Sequence, residues 1–229
     1  MSSPQIKTAR GATFWLILAI TALLLVGVVC WGMWPVNHAA SGSSQRNFTM
    51  DVDFDKFRQI MVRKNATEAI VAYSGMKILS EKVDDLSIDV PEQKRPILNA
   101  LLGKSKADVS VSKQLTVSLE NPDINANEMN LNQNADIDAE HMDVTSEGEP
   151  AGNVKAYSTR LLATKQDGVT KVELTINQTV NVRVPQFFIS EADRRVQLTA
   201  VSSTTEQEKA IRSFITQYQD ELIVLPKLR

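Results

Sequence analysis

Residues 168–185 read GVTKVELTINQTVNVRVP, and this stretch decides the fold. Between Val172 and Val184 apolar residues recur at alternate positions, and polar residues fill most of the others. A period of two predicts a strand with one buried face and one face in water. The preceding Gln166-Asp167-Gly168 predicts a tight turn. That turn would join the strand to an earlier one near Val154–Thr164.

The same alternation recurs in four earlier segments of the chain. They are Phe48–Phe54, Leu86–Val90, Val109–Leu119 and Met129–Ala139. Each segment has one apolar face and one polar face. Such strands are typical of an antiparallel sheet that is wet on one side and covered on the other.

Two stretches with helical spacing supply the cover. The first is Asp55–Tyr73, whose first residue can cap it; a second capping pattern at Asn65 favours two short helices over one. The second is Ser190–Leu222, where apolar residues recur three and four positions apart. The alternative for this region is a strand over Val196–Ser203 and a shorter helix from Thr205, because β-branched residues favour strands.

This order of strand, short helices, long strands and final helix resembles the START-like helix-grip superfamily. The matching stretches are DVDFDKFRQIM at 51–61, the strand at 168–185, Phe187-Phe188, and the helix around 210–215. The resemblance covers most of residues 47–222; Pro91–Gly103, where a helical turn is predicted, departs from it. It implies an α+β fold in which a curved antiparallel sheet packs on a long C-terminal helix. It also implies a hydrophobic cavity that binds lipids or other apolar molecules.

The faces of the predicted strands and of the final helix suggest which residues line such a cavity. Alternate positions on a strand share a face, and positions three or four apart share a helix face. On this basis we expect the lining to include Leu131, Ile137, Ile176, Val180 and Phe214.

Composition and motifs argue against several other functions. The 229 residues carry a net charge of -2, which gives no basic surface for nucleic acid. No HExxH, P-loop, GxSxG or GxGxxG motif occurs, and neither His38 nor His141 belongs to a catalytic pattern. Asp123, Asn125 and Asn127 have the spacing of an EF-hand start but lack its glycine and its bidentate acid, so we predict a solvated strand face. We expect no catalytic residue, metal or cofactor.

The N-terminal region predicts a membrane anchor. Residues 13–34 contain no charge and, at about 1.5 Å per residue, can cross a hydrocarbon core of about 30 Å. Tryptophans lie at both ends, as at membrane interfaces. A cleaved signal peptide is the alternative, although the apolar run is long for one. The predicted segments are a basic tail (1–12), a transmembrane helix (13–34) that includes Cys30, a flexible tether (35–46) and one α+β domain (47–229).

The charges beside the predicted helix suggest its orientation. Lys7 and Arg10 precede it and Arg46 follows, which places the N-terminus in the cytoplasm and the domain on the extracytoplasmic side. The first functional hypothesis is a domain that binds a lipid or another apolar small molecule near the membrane. The alternative is a non-enzymatic structural or assembly subunit of an envelope complex, with an envelope protein as partner. An enzyme acting through carboxylates is a third hypothesis, but no pair of acids can be singled out.

Overall fold

The computed structural model describes residues 9–63, 66–73, 76–89, 108–119 and 124–221. Within them, seven strands form one antiparallel sheet in the order β1-β7-β6-β5-β4-β3-β2. In chain order the elements are α1 (Ala9–Gly32), β1 (Pro35–Met50), α2 (Phe54–Arg63), α3 (Ala66–Tyr73), β2 (Met76–Asp89), β3 (Asp108–Leu119), β4 (Glu128–Ile137), β5 (His141–Gly148), β6 (Val154–Gln166), β7 (Val169–Pro185), a 3-10 turn (Gln186–Phe188) and α4 (Ile189–Tyr218).

The sheet curves and packs on α4, which confirms the predicted helix-grip-like α+β architecture. The helix is continuous from Ile189 to Tyr218, so the alternative of a strand over residues 196–203 is wrong. The reason is the spacing of its buried side chains, which places them on one face toward the sheet. Leu222, the predicted helix end, lies outside the described residues. The buried positions are Ala192, Val196, Ala200, Thr204, Gln207, Ala210, Ile211, Phe214 and Ile215.

The prediction of a flexible tether over residues 35–46 is wrong. These residues form most of β1, which pairs with β7 from Pro35↔Pro185 to Met50↔Thr170. Their small side chains let α4 approach closely: a Cβ on Gly42 would lie 2.5 Å from the Val196 carbonyl oxygen. The Gln197 side chain also accepts from the Ser43 N–H at 3.0 Å and donates to its carbonyl at 2.7 Å, which satisfies the edge of β1. The folded domain therefore begins at residue 35 rather than 47.

The first helical stretch forms two short helices, as one of the two interpretations predicted. The cap is Asp53 rather than Asp55: the Asp53 carboxylate accepts from the Asp55 N–H at 2.9 Å. Asp55 lies in the first turn of α2 and pairs with Arg58 at 3.0 Å. The predicted cap shifts by two residues because the strand already ends at Met50.

The asparagine- and aspartate-rich strand is β4, and its asparagine and aspartate side chains lie on the outer face of the sheet. They pair with hydroxyls of β3, with Ser110–Asp136 and Ser112–Asn134 both at 2.6 Å. The outer face of β4 is polar, as predicted, whereas Asn125 and Asn127 lie in the loop before this strand. Among the described residues no group of three or more potential metal ligands is found; Asp123 lies outside them.

In the rest of the sheet, the structure has a longer strand than predicted and one additional strand. β2 begins at Met76, ten residues before the predicted strand at Leu86, and β5 was not predicted at all. The predicted turn between β6 and β7 is confirmed, and Gly168 adopts φ 71° there, a conformation that glycine tolerates. The predicted helical turn at Pro91–Gly103 lies outside the described residues. No helix within the described part of the chain meets the length and hydropathy needed for a membrane span.

Candidate functional site

A row of polar side chains crosses the inner face of the sheet, toward α3 and α4. The strand register places Lys113 opposite Gln133, Gln133 opposite Ser146, and Ser146 opposite Thr159. We call these four residues the polar belt. Their neighbours two positions away on the same strands are mostly apolar, because the inner face otherwise forms the core. The belt separates the apolar cluster around Ile211 from a second one around Leu115 and Leu131.

Hydrogen bonds connect most of the polar belt into one chain. Lys113 Nζ lies 2.9 Å from Glu81 Oε1 and 3.2 Å from Thr67 Oγ1. Thr67 donates to Gln133 Oε1 at 3.3 Å, and Gln133 Nε2 donates to Ser146 Oγ at 3.0 Å. Gln133 and Ser146 are buried, so the bond between them is made away from water, whereas the Lys113–Glu81 pair at the other end of the chain is exposed. No buried side-chain nitrogen or oxygen in the described residues lacks a partner.

A cavity of about 90 Å³ lies along the polar belt. Its walls come from the inner face of the sheet, from α2 and α3, and from one residue of α4. At about 30 Å³ for each molecule of liquid water, it has room for about three waters. Sites for drug-sized ligands run to several hundred Å³. The polar lining residues are Thr67, Gln133, Ser146, Tyr157, Thr159 and Gln207; the other lining residues are apolar.

Tyr157 and Gln207 form the polar end of this cavity. Burial of the phenol raises the pKa of Tyr157 to about 12, and the hydrogen bond from Gln207 offsets part of that rise. Part of the Tyr157 side chain remains accessible, but its hydroxyl lies inside. The phenol therefore stays protonated at physiological pH and can donate a hydrogen bond.

A second, larger depression of about 490 Å³ is lined by residues of β1, β5, β6 and β7 and by Gln197 of α4. It is open to solvent and lined mainly by small polar side chains. Those side chains hydrogen-bond to one another, with Ser43–Asn177 at 2.6 Å and Ser41–Thr179 at 3.0 Å. It arises because small residues leave the sheet surface bare. We therefore take the smaller cavity, which lies between the sheet and the helices, as the candidate site.

The structure brings one of the five predicted lining residues to the cavity. Leu131 lies in its wall. Ile137 and Phe214 are buried in the large apolar cluster, Ile176 is fully buried, and Val180 packs in a third cluster with Ala40, Ala192 and Val196. All five residues face the interior between the sheet and the helix, as their spacing predicted. The spacing does not indicate how far along each strand the cavity lies.

Sequence reasoning missed the polar belt, although a signal was present. Lys113 interrupts the alternation between Val111 and Leu115, and Gln133 does so between Leu131 and Ala135. A polar residue on the apolar parity must find a partner inside, and two such residues in adjacent strands predict a buried polar contact. The histidines lie elsewhere: His38 pairs with Asp193 at 2.7 Å, and His141 pairs with the loop preceding β5.

No family model and no curated protein matches this chain. Solved structures do resemble it. The ZhuI aromatase/cyclase of Streptomyces sp. R1128 has a TM-score of 0.44 at 12% identity, over 78% of this chain and 96% of that chain. A START superfamily protein of Mycobacterium smegmatis scores 0.44 at 10% identity, over 76% and 97%. Norcoclaurine synthase of Thalictrum flavum scores 0.43 at 11%, over 77% and 94%. These are START and polyketide-cyclase-like helix-grip proteins, and a likeness at this level bears on the fold alone.

Proposed function

We propose that this protein is a membrane-anchored, non-enzymatic module that binds a small amphipathic molecule in the cavity along the polar belt. The observation that carries the proposal is a buried chain of hydrogen-bonding groups placed between two apolar clusters, with a void beside it. Apolar walls with a few convergent polar groups are typical of small-molecule sites.

The cavity size and lining narrow the ligand class. A volume of about 90 Å³ fits only a few non-hydrogen atoms, so the occupant is smaller than a complete lipid unless the cavity widens. Its polar group would meet Gln133, Ser146 and the Tyr157 hydroxyl, and its apolar part would contact Leu131 and Met142. Lys113 is paired with Glu81 and does not line the cavity, so the polar groups that face the ligand are uncharged, which favours an uncharged polar group on the ligand.

The anchor is part of the same proposal. α1 has 24 residues and a length of about 36 Å at 1.5 Å per residue. Its described apolar side chains are largely exposed, with Leu23 at 74% and Trp34, just beyond its end, at 71%. Side chains of residues 13–19, part of the predicted span, lie outside those described. With more basic charge before the helix than after it, the domain would lie on the extracytoplasmic side.

Co-purification tests the ligand proposal. The full chain would be purified in mild detergent, and small molecules extracted from it would be measured by mass spectrometry. Ser146→Leu places a larger side chain into the cavity, whereas Thr145→Leu changes the outer face of the same strand. We expect a compound bound to the wild type and to Thr145→Leu but depleted from Ser146→Leu. Equal recovery from all three proteins, or from none, would contradict the proposal.

A second candidate function is an assembly subunit of an envelope complex. β2 is an edge strand, and among the described residues no strand pairs with its outer side. It exposes Leu79, Val83 and Leu86 by about half of their surface, at 48%, 56% and 56%. Exposed apolar edge strands favour pairing with another chain. A photo-crosslinker at Val83 should capture a partner in native membranes, while one at Lys171 on β7 should not; absence of any adduct at Val83 would count against this function.

A further inference from the structure

The end of α1 and the turn before α4 touch each other. A Cβ on Gly32 would overlap the ring of Phe187, so this ring packs directly on the helix backbone at that point. The contact is reinforced nearby, because Pro35 pairs with Pro185 at the shared end of β1 and β7. Two residues, Met33 and Trp34, separate α1 from β1. The folded domain therefore begins immediately beside the last turn of α1.

Four exposed aromatic residues make this contact or lie within two residues of it in the chain. Trp31 and Trp34 are 63% and 71% exposed, and Phe187 and Phe188 are 54% and 50% exposed. We call these four residues the aromatic foot. Exposed large apolar side chains grouped in one place mark an interaction surface. Aromatic rings are also favoured at the level of lipid headgroups.

We propose that the aromatic foot enters the headgroup layer of the bilayer and seats the domain directly on the membrane surface. The inference rests on the proposed anchor. If α1 crosses the bilayer up to Trp34, then Gly32 lies at or below the headgroup level. The Phe187 ring packs on Gly32 and must therefore reach the same depth. The domain cannot move far from the bilayer surface, because β1 starts at Pro35, immediately after α1.

The charges around the aromatic foot are compatible with a lipid surface. Arg194 and Arg195 both hydrogen-bond to Glu191, at 2.9 Å and 3.2 Å, and hold the pKa of that carboxyl down at about 2. Asp193 pairs with His38 at 2.7 Å. The charge of Glu191 is thus compensated by two guanidinium groups, and Asp193 is engaged in a hydrogen bond with the His38 ring. Arg183, at the end of β7, is exposed.

Depth measurement by spin labelling tests the seating. The full chain would be reconstituted in vesicles of phosphatidylcholine and phosphatidylglycerol. Wild-type protein carries one cysteine, Cys30 in α1, which reports on the anchor. In a Cys30→Ser background, Phe188→Cys and Gln186→Cys report on the seating; the second leaves both phenylalanines intact in case the first disturbs the fold. The control is Asp167→Cys in the β6–β7 turn, at the opposite end of the 17-residue strand β7, which is about 55 Å long at 3.3 Å per residue.

Collision rates with oxygen, which prefers lipid, and with a nickel chelate, which prefers water, then give the depth. We expect labels at 30, 186 and 188 to favour oxygen several-fold over the control label at 167. Label 30 in lipid with labels 186 and 188 in water would overturn the seating and leave the anchor. Label 30 in water would overturn both. If labels 186 and 188 were inaccessible to both oxygen and the nickel chelate, the aromatic foot would be covered by a protein partner. That result would also overturn the seating.

Discussion

Replacement of Gln133 by leucine tests whether the polar belt is a real hydrogen-bonded unit. Leucine has a similar size, so it leaves little cavity, but it removes the bonds to Thr67 and Ser146. Each bond contributes about 0.5–1.5 kcal/mol net, and a buried hydroxyl left without a partner costs about 1–3 kcal/mol. Thr67 keeps its contact with Lys113, whereas Ser146 loses its donor. We expect Gln133→Leu to lower the free energy of unfolding by about 2 kcal/mol.

The companion variants make this prediction a double-mutant cycle. Ser146→Ala alone should cost about 1–2 kcal/mol, because the Gln133 amide then lacks its acceptor. The double variant should cost about as much as Gln133→Leu alone, a coupling of about 1–2 kcal/mol. Unfolding in urea and mild detergent should be followed by far-UV circular dichroism, because all three tryptophans lie in residues 13–34, outside the sheet and α4. Additive effects, with coupling near zero, would refute the hydrogen-bonded belt.

Three further predictions concern the cavity wall, the β1–α4 contact and the cap of α2. The pKa of Tyr157 is about 12 in the folded protein and 10.0 for the free side chain, so the unfolded chain loses this proton at lower pH. The free energy of unfolding should therefore fall by about 2–3 kcal/mol between pH 10 and 12. Urea titrations of Tyr157→Phe should not show this fall. Gly42→Ala, whose Cβ would press on the Val196 carbonyl, should cost about 1–3 kcal/mol by thermal unfolding, and an unchanged Tm would contradict the close packing. Asp53→Ala should cost about 0.5–2 kcal/mol as a lost cap, and Asp51→Ala should change stability by less than about 0.5 kcal/mol; equal losses would mean that neither carboxylate caps the helix.

The sheet and the final helix could be predicted because their patterns are strong. The alternation at 172–184 leaves one consistent interpretation, a half-buried strand, and it became the long strand β7. The final helix was less certain locally because β-branched residues cluster in it. Packing decided the outcome: Val196, Ala200 and Thr204 lie on one face when helical and bury together against the sheet.

β1 could not be predicted because its composition indicates a linker. PVNHAASGSSQR has few apolar residues, and small polar residues usually mark loops. In the structure they serve packing: Ala40 and Gly42 are small because α4 lies directly on them. That requirement depends on a helix about 150 residues later in the chain, which local pattern cannot reveal.

The candidate site was predicted only in outline. Face parity located the interior of the sheet correctly, but the position of the cavity depends on which side chains fail to fill space. Polar residues at Lys113, Gln133 and Ser146 gather opposite one another through the strand register, and a single strand's pattern does not contain the register. Two polar interruptions in successive strands were the available signal.

Methyl-resolved NMR of the full chain in lipid nanodiscs tests the binding proposal most directly. The small-molecule extract recovered from the purified protein would be added to ligand-stripped protein labelled at leucine and methionine methyls. We predict chemical-shift changes confined to the cavity wall, at Leu131, Met142 and Leu174. Changes only at exposed leucines, such as Leu86 on β2 or Leu198 on α4, or no changes at all, would contradict a ligand site along the polar belt.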